Sequence, residues 1–559
     1  MSIEMNRRSV LRTAVGVAGA ASMAPLLSAC GSGSAVKSGA NTKKGVTSAV
    51  PAYTANTSVK PDIPSVSFAN GAVTDPGFLT YPANPVATVT GKPGSGGSYT
   101  AVTPLWGAVP QAGNSFYTAV NAALGASLTM HPADGNTFNT AITTLTAAKK
   151  LPDWVQLPTW WNQTFNTGEL AATQLADLTP YLAGDKVKDY PNLAAIPTGA
   201  WKCGVWDDKL YGIPSFSSGT SFAGMTYYRQ DVFEAKGISA SEVTSAADLM
   251  ALGKELTSAS AGVWAFDDVW TYLQPAFGIA NKFWIKDGKL AHKYDQPEFL
   301  EALDWHYQLA KSGSVHPDAL AGKNSDAKAR FYAGKVLIEG DGTGAWNLAD
   351  DQAGKAASKA YRRGAFPLFA ADGKSTPSIY LGTSTSFVSY LNAKLSPAQI
   401  KECLAIANYL AAPWGSAEYT LINYGVEGTD YTMVGGVPTF TSEGQKSVQQ
   451  QTFPFLATCQ EVISNPGADQ LTKDYTAWNT ATAKYAYKSV FWNMNITVPA
   501  RYSTADAAQA VEDTVKDVYH GIKPVSAFQE AVSTWKKNGG TTLVEWYQTN
   551  VMDKYGTDQ

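Results

Sequence analysis

The chain of 559 residues carries 43 Lys and Arg against 46 Asp and Glu, a net charge of −3. That balance has no basic excess, which excludes the electrostatic footprint of a nucleic-acid binder. Charged residues make up 16% and hydrophobic ones 45%, so the chain is a folded, weakly charged protein and not a disordered one.

The first predicted element is an export signal. Asn6-Arg7-Arg8-Ser9-Val10-Leu11-Arg12 form a basic start, residues 13–29 carry no charge, and the run ends on small residues before Cys30. The paired arginines resemble the twin-arginine class of bacterial signals. Leu27-Ser28-Ala29-Cys30 resembles the lipobox of bacterial lipoproteins, which implies removal of residues 1–29 and a lipid on the Cys30 thiol. The segment 13–29, rich in Ala, Gly and Ser, is short and weakly apolar for a membrane span of about 20 residues. Membrane attachment is therefore expected through the lipid alone.

From residue 31 to 97 the composition shifts to Gly, Ser, Thr, Ala and Pro without a sustained period. Residues 30–97 are accordingly predicted to be a flexible tether carrying the lipidated cysteine. A regular alternation follows: strand over 99–106, helix over 115–124, strand over 127–131, helix over 138–149, strand over 154–157. Strands alternating with helices imply βαβ units and a parallel sheet covered on both faces. Farther on, Ile400, Cys403, Leu404, Ala407, Leu410 and Ala411 hold helical spacing, as do Val511, Val515, Val518 and Tyr519.

Catalytic and cofactor motifs are lacking. Gly-x-Ser-x-Gly does not occur, and His131, His292, His306, His316 and His520 show no ligand spacing for a metal. Asp372-Gly373-Lys374-Ser375-Thr376 has Leu368 where a phosphate-binding loop needs glycine, and Gly340-Asp341-Gly342-Thr343-Gly344 lacks the third glycine of a dinucleotide fingerprint. No catalytic residue, cofactor or metal is expected, and Cys203, Cys403 and Cys459 allow at most one bridge within the chain.

What remains is the rings: 16 Trp, 27 Tyr and 21 Phe beside 5 His. Trp106 ends a predicted strand, Trp160 and Trp161 follow one, Trp270 and Tyr272 follow Asp267-Asp268, Trp346 follows a glycine turn, and Trp492 sits among Phe491, Asn493 and Asn495. In open α/β sheets ligands bind beyond the carboxyl ends of strands. Flat rings flanked by Asp, Asn or Gln suit a sugar, whose C–H face stacks while its hydroxyls bond to the polar neighbours.

Four segments then resemble the extracellular solute-binding proteins of ABC importers, of the carbohydrate-binding type that includes maltodextrin-binding proteins. Trp206-Asp207-Asp208-Lys209-Leu210-Tyr211-Gly212-Ile213-Pro214 is similar to the family's Asp-Gly-Lys-Leu-Tyr-Gly-Ile-Pro run. The second is Met225-Thr226-Tyr227-Tyr228-Arg229, leading into Asp231-Val232-Phe233, and the third runs from Phe331-Tyr332-Ala333-Gly334-Lys335 to Trp346. The fourth, Asn423-Tyr424-Gly425-Val426-Glu427-Gly428-Thr429-Asp430-Tyr431, is similar to a motif of the larger oligosaccharide binders, including alginate-oligosaccharide binders.

The resemblance spans about residues 98–559. It implies a two-lobed α/β fold of the periplasmic-binding-protein type II, with crossing strands near 215–223, 337–342 and 381–386 and the ligand cleft between lobes. Lobe one is expected over 98–220 and 340–383, and lobe two over 221–339 and 384–559. Trp160 or Trp161, Trp270 and Trp346 match places where family members present stacking rings; Trp106, Gln111, Asn114, Tyr272 and Trp492 complete the expected site. Residues 258–263 lack the alternating oxygen ligands of the calcium loop found in some large members. The implied function is a monomeric, lipid-anchored receptor on the extracytoplasmic face that passes an oligosaccharide to a permease. The alternatives are a secreted carbohydrate-active enzyme and a glycan-binding or sensor protein outside transport.

Overall fold

The computed structural model describes residues 39–222 and 224–557; the export signal and Cys30 lie outside them. The strand-forming runs assemble into two separate sheets. In the first, the order is Gly212–Ser215, Phe387–Leu391, Trp154–Pro158, Ser98–Val102, Ser127–Met130. Ser98–Val102 pairs in parallel with both neighbours, as the βαβ pattern requires. Phe387–Leu391 inserts antiparallel against Trp154–Pro158 and Gly212–Ser215, so the sheet is mixed and not wholly parallel. The helix Ser115–Leu124 starts at Asn114, whose side chain accepts from the Tyr117 N–H, and stops at Gly125 with φ 67°, a conformation open to glycine at little cost.

The second sheet has the order Trp264–Phe266, Val336–Asp341, Met225–Arg229, Arg363–Ala365. Each sheet buries its own core. Tyr99, Phe116, Trp154 and Trp201 centre the first, joined by the helix Pro397–Leu410, which buries Ile400, Cys403, Leu404, Ala407 and Leu410 as their spacing predicted. Ser396 and Gln399 cap that helix reciprocally, satisfying two otherwise orphaned N–H groups. Phe266, Phe299 and Leu303 centre the second core, where Val511, Val515 and Val518 of the helix Gln509–Tyr519 are buried.

The lobe boundaries differ from the expected ones. Val336–Asp341 lies inside the second sheet, and so does Arg363–Ala365, so 340–383 belongs to lobe two. Phe387–Leu391 and the helix Pro397–Leu410 belong to lobe one, against an expected place in lobe two. The chain crosses between lobes near 217–222, 382–386 and 458–464. These crossings are tied to one another: Ser218 N–H donates to Ser384 O (2.9 Å), Gly382 N–H to Ser221 O (2.7 Å) and Glu461 N–H to Ser217 O (2.8 Å). Asn493, with φ 56°, braces the second crossing through Nδ2 to Ser384 Oγ (2.7 Å), and Ser384 N–H donates back to Asn493 Oδ1 (2.8 Å).

The expected tether is also corrected over 39–97. Asn41 Nδ2 donates to Val205 O at 3.1 Å, and the helix Lys43–Ala49 buries Val46 and Ala49. Asn70 Nδ2 reaches Ala483 O and Ala486 O at 2.9 and 2.8 Å. Phe78 stacks on Trp414 at 4.4 Å, and Tyr81 Oη bonds with Thr420 Oγ1 at 2.7 Å. Asp75 joins two crossings by accepting from Ser218 Oγ (2.5 Å), Gly219 N–H (3.1 Å) and Gln460 Nε2 (2.9 Å). The composition reads as loose because the segment forms few elements and so has no period. It is held by single side chains seated in separate slots.

Candidate functional site

Three tryptophans meet at the carboxyl ends of lobe-one strands. Trp106 follows Pro104–Leu105, and Trp160 and Trp161 form the turn Thr159–Trp161 directly after Trp154–Pro158. Trp106 lies 6.2 Å from Trp160 and 6.4 Å from Trp161, and Trp160 lies 5.6 Å from Trp161. Trp160 is 52% exposed and Trp106 39%, so both rings have faces open to a ligand. Trp161 anchors the group by packing on Phe138 and Phe165, at 6.2 and 5.8 Å.

Rings carry this platform toward the crossing strands. Trp160 packs against Phe387 (5.3 Å), and Phe387 against Phe216 (5.9 Å). Phe216 adopts φ 49°. Such a conformation is an outlier for a bulky residue and persists only where the surroundings over-determine it. Phe216 lines a cavity of about 370 Å³ between the lobes. Lobe one contributes Trp414, Tyr419 and Asn423; lobe two contributes Trp346, Asn347 and Tyr475. Trp346 stacks on Tyr475 at 5.6 Å with 24° between the planes. Its Nε1 is buried with no hydrogen-bond partner among the described residues.

Burial sets the electrostatics of the cavity. It raises the Asp75 carboxyl to about 6 against the opposing bonds from Ser218, Gln460 and Gly219. Glu461 opens into the cavity yet sits deep among protein atoms. Desolvation, with the neighbouring Asp75 carboxyl, raises it to about 7. The Cys459 thiol, also in the lining, is pushed up to about 12 by burial and is unreactive near neutrality. Cys203, Cys403 and Cys459 are all free thiols.

The other expected ligand residues are placed elsewhere. Gln111 is exposed on the loop before Asn114, and Asn114 is occupied by capping its helix and by an Nδ2 bond to Ser447 O at 3.4 Å. Trp270 is buried in the lobe-two core, stacked on Tyr519 at 5.2 Å and edge-on to His306 at 4.9 Å. Tyr272 lines a separate recess of about 30 Å³ beside Gly224. Trp492 packs with Phe222 and Leu381, and its Nε1 donates to Gly382 O at 2.8 Å, bracing a crossing. For Trp270 and Trp492 the cause is shared: a Trp after an acidic pair or among Phe and Asn occurs equally in cores. Trp270→Phe is therefore expected to lower stability by about 1–3 kcal/mol while leaving ligand affinity within about twofold, checked by denaturant titration beside calorimetry.

Sequence reasoning missed Phe216, Trp414, Tyr475, Asp75 and Glu461. No spacing marks them, because they converge from four distant stretches of the chain.

A model of the bacterial extracellular solute-binding proteins matches residues 107–417, which is more than half of the sequence. The chain belongs to that family. Among curated proteins it is 24% identical over 288 residues to Lipoprotein LipO of Bacillus subtilis, covering 49% of this chain. The chain thus spans about half the length of that relative, 55% of it. Solved structures of the same fold include the alginate-binding protein AlgQ2 without calcium ion (TM-score 0.56, 14% identity, 82% of this chain and 98% of that one). The N-glycan transport solute-binding protein NgtS of Streptococcus pneumoniae gives a TM-score of 0.57 at 14% identity, over 82% and 98% of the two chains. An HMO-binding, ABC-transporter-associated solute-binding protein of Bifidobacterium longum infantis gives 0.56 at 13% identity, over 81% and 98%. In this solute-binding protein the cavity is lined from both lobes, and the platform joins it through Phe387 and Phe216.

Proposed function

We propose that this solute-binding protein captures an oligosaccharide between its lobes and delivers it to the permease of an ABC importer, without catalysing any change in it. The observation that carries this reading is the run of rings from the exposed Trp106 and Trp160, through Phe387 and Phe216, to the cavity holding Trp346 and Tyr475. A surface of that length suits several sugar units in a row. Stacking supplies affinity, while the exposed Gln450 and Glu461 of the lining offer a donor and acceptors to hydroxyls. The names of the structural relatives, binders of alginate and HMO and an N-glycan transport protein, favour a glycan over other solutes.

A ligand touching both lobes shifts an open-to-closed equilibrium by its differential affinity for the two states. The tied crossings are the elements that would bend. Among the described residues no helix is long and apolar enough to cross a membrane. In this reading the protein works as a monomer held at the extracytoplasmic face by a lipid on Cys30.

A thermal-shift screen of the full chain against plant and microbial oligosaccharides tests the reading, since a ligand at 100 times its Kd stabilises by about 2.7 kcal/mol. A glycan that raises the transition, is recovered unchanged and binds with a negative heat-capacity change is the expected result. Release of shortened products would instead establish a carbohydrate-active enzyme.

A further inference from the structure

The cavity between the lobes carries an unbalanced charge. Its lining holds two carboxylates, Asp75 and Glu461, and neither a lysine nor an arginine. The two acids are not equivalent. Asp75 is engaged by the crossings through Ser218 Oγ, Gly219 N–H and Gln460 Nε2. Glu461 is held by its backbone, whose N–H donates to Ser217 O at 2.8 Å. No hydrogen bond or ion pair among the described residues engages its side chain, which shares the lining with Trp346 and Tyr475. The Glu461 side chain is exposed to the cavity; closure over a ligand would strip its water, which is costly unless the ligand supplies a donor in its place.

We infer that Glu461 sets the charge class of the ligand: it accepts hydrogen bonds from the hydroxyls or the amine of a neutral or amino-sugar unit and repels a uronate at the same place. The inference rests on the glycan reading above. Its chemistry is specific to the cavity, because a uronate would bring a third carboxylate into a lining with no cation to offset it. The cost follows from charge alone: two like charges a few ångströms apart in a partly buried site repel strongly enough to weaken binding about 100-fold. An amine donates to the carboxylate, and its protonated fraction gains further from the same field and from the faces of Trp346 and Tyr475.

The test compares matched oligosaccharide series by calorimetry on the full chain at pH 8, above the value of about 7 to which Glu461 is raised. Mannohexaose is set against its mannuronate counterpart, and galactohexaose against galacturonate, so that each pair differs only by oxidation at C6. A glucosamine series is compared with its N-acetylated form, which separates the amine from the hydroxyl as the donor. For the wild type, neutral or amine-bearing members are expected to bind at least about 100-fold more tightly than uronates. Glu461→Gln, which keeps size and hydrogen bonding on an exposed side chain, should shrink the gap to under about tenfold. Uronates binding the wild type as tightly as neutral partners would overturn the inference and leave the glycan reading standing. So would an unchanged gap in Glu461→Gln. Absence of binding by every series, with no glycan raising the transition in the thermal-shift screen, would overturn the glycan reading and the inference together.

Discussion

Replacing Trp160 and Trp161 together by alanine is expected to weaken binding of the best oligosaccharide by about 100-fold or more. Truncating a central aromatic anchor of a binding surface costs about 2 kcal/mol or more, and about 1.4 kcal/mol is a factor of ten in affinity. The two rings lie 5.6 Å apart, close enough for their effects to couple instead of adding. The single changes divide the roles. Trp160, at 52% exposure, can be removed with stability held within about 0.5 kcal/mol, as for other surface substitutions. Trp161 packs on Phe138 and Phe165, so its removal costs stability as well as affinity. Calorimetry paired with denaturant titration separates the two. Full affinity in the double variant would show that the ligand bypasses the platform.

The second large effect lies behind the cavity. Arg363 and Glu339 form an ion pair at 2.5 Å with both side chains 3% exposed, and the guanidinium lies 4.5 Å from the Tyr227 ring. Arg363 also donates from Nη1 to Ala345 O at 2.5 Å, immediately before Trp346. Arg363→Met leaves Glu339 buried without its cation, a loss of about 3–5 kcal/mol. The pH dependence has a definite sign. Burial already raises the Glu339 carboxyl, and without Arg363 it rises further. The folded state then holds the proton more tightly than the unfolded chain, whose carboxyl titrates near its ordinary value of about 4.3. Because the wild-type Glu339 is itself raised to about 8, both proteins keep the proton below neutrality, so the deficit should be flat from pH 5 to about 7 and grow as pH rises above 8. The double change Arg363→Met with Glu339→Leu removes the stranded charge and should recover most of the loss, since apolar replacement of a whole buried pair is often neutral or better. Unfolding midpoints at pH 6, 8 and 9.5 measure all three. A deficit independent of pH would mean that packing around Tyr227, and not the charge on Glu339, dominates.

These two sites show what the sequence does and does not carry. The helix Pro397–Leu410 was legible because Ile400, Cys403, Leu404, Ala407 and Leu410 repeat at helical spacing. The platform was legible because Trp106, Trp160 and Trp161 directly follow short apolar strands. Local pattern could not tell these rings from Trp270, which lies in a core because Phe299, His306 and Tyr519 arrive from elsewhere to cover it. The cavity was illegible for the same reason: Asp75, Phe216, Glu461 and Tyr475 become neighbours only when the lobes assemble. The lobe boundaries failed where the resemblance put a crossing at 337–342, a stretch that fills the second sheet by pairing with Met225–Arg229 and Trp264–Phe266.

The packing of residues 39–97 decides where this protein can be cut. A chain shortened to begin at residue 98, the boundary that composition recommends, would strip Phe78 from the face of Trp414 and open apolar surface there. It would leave Asn192 without its bond from Asn56 Nδ2 and deprive the crossing at 218–219 of the carboxylate that joins it to Gln460. A shortened chain must therefore keep everything from about residue 39 onward.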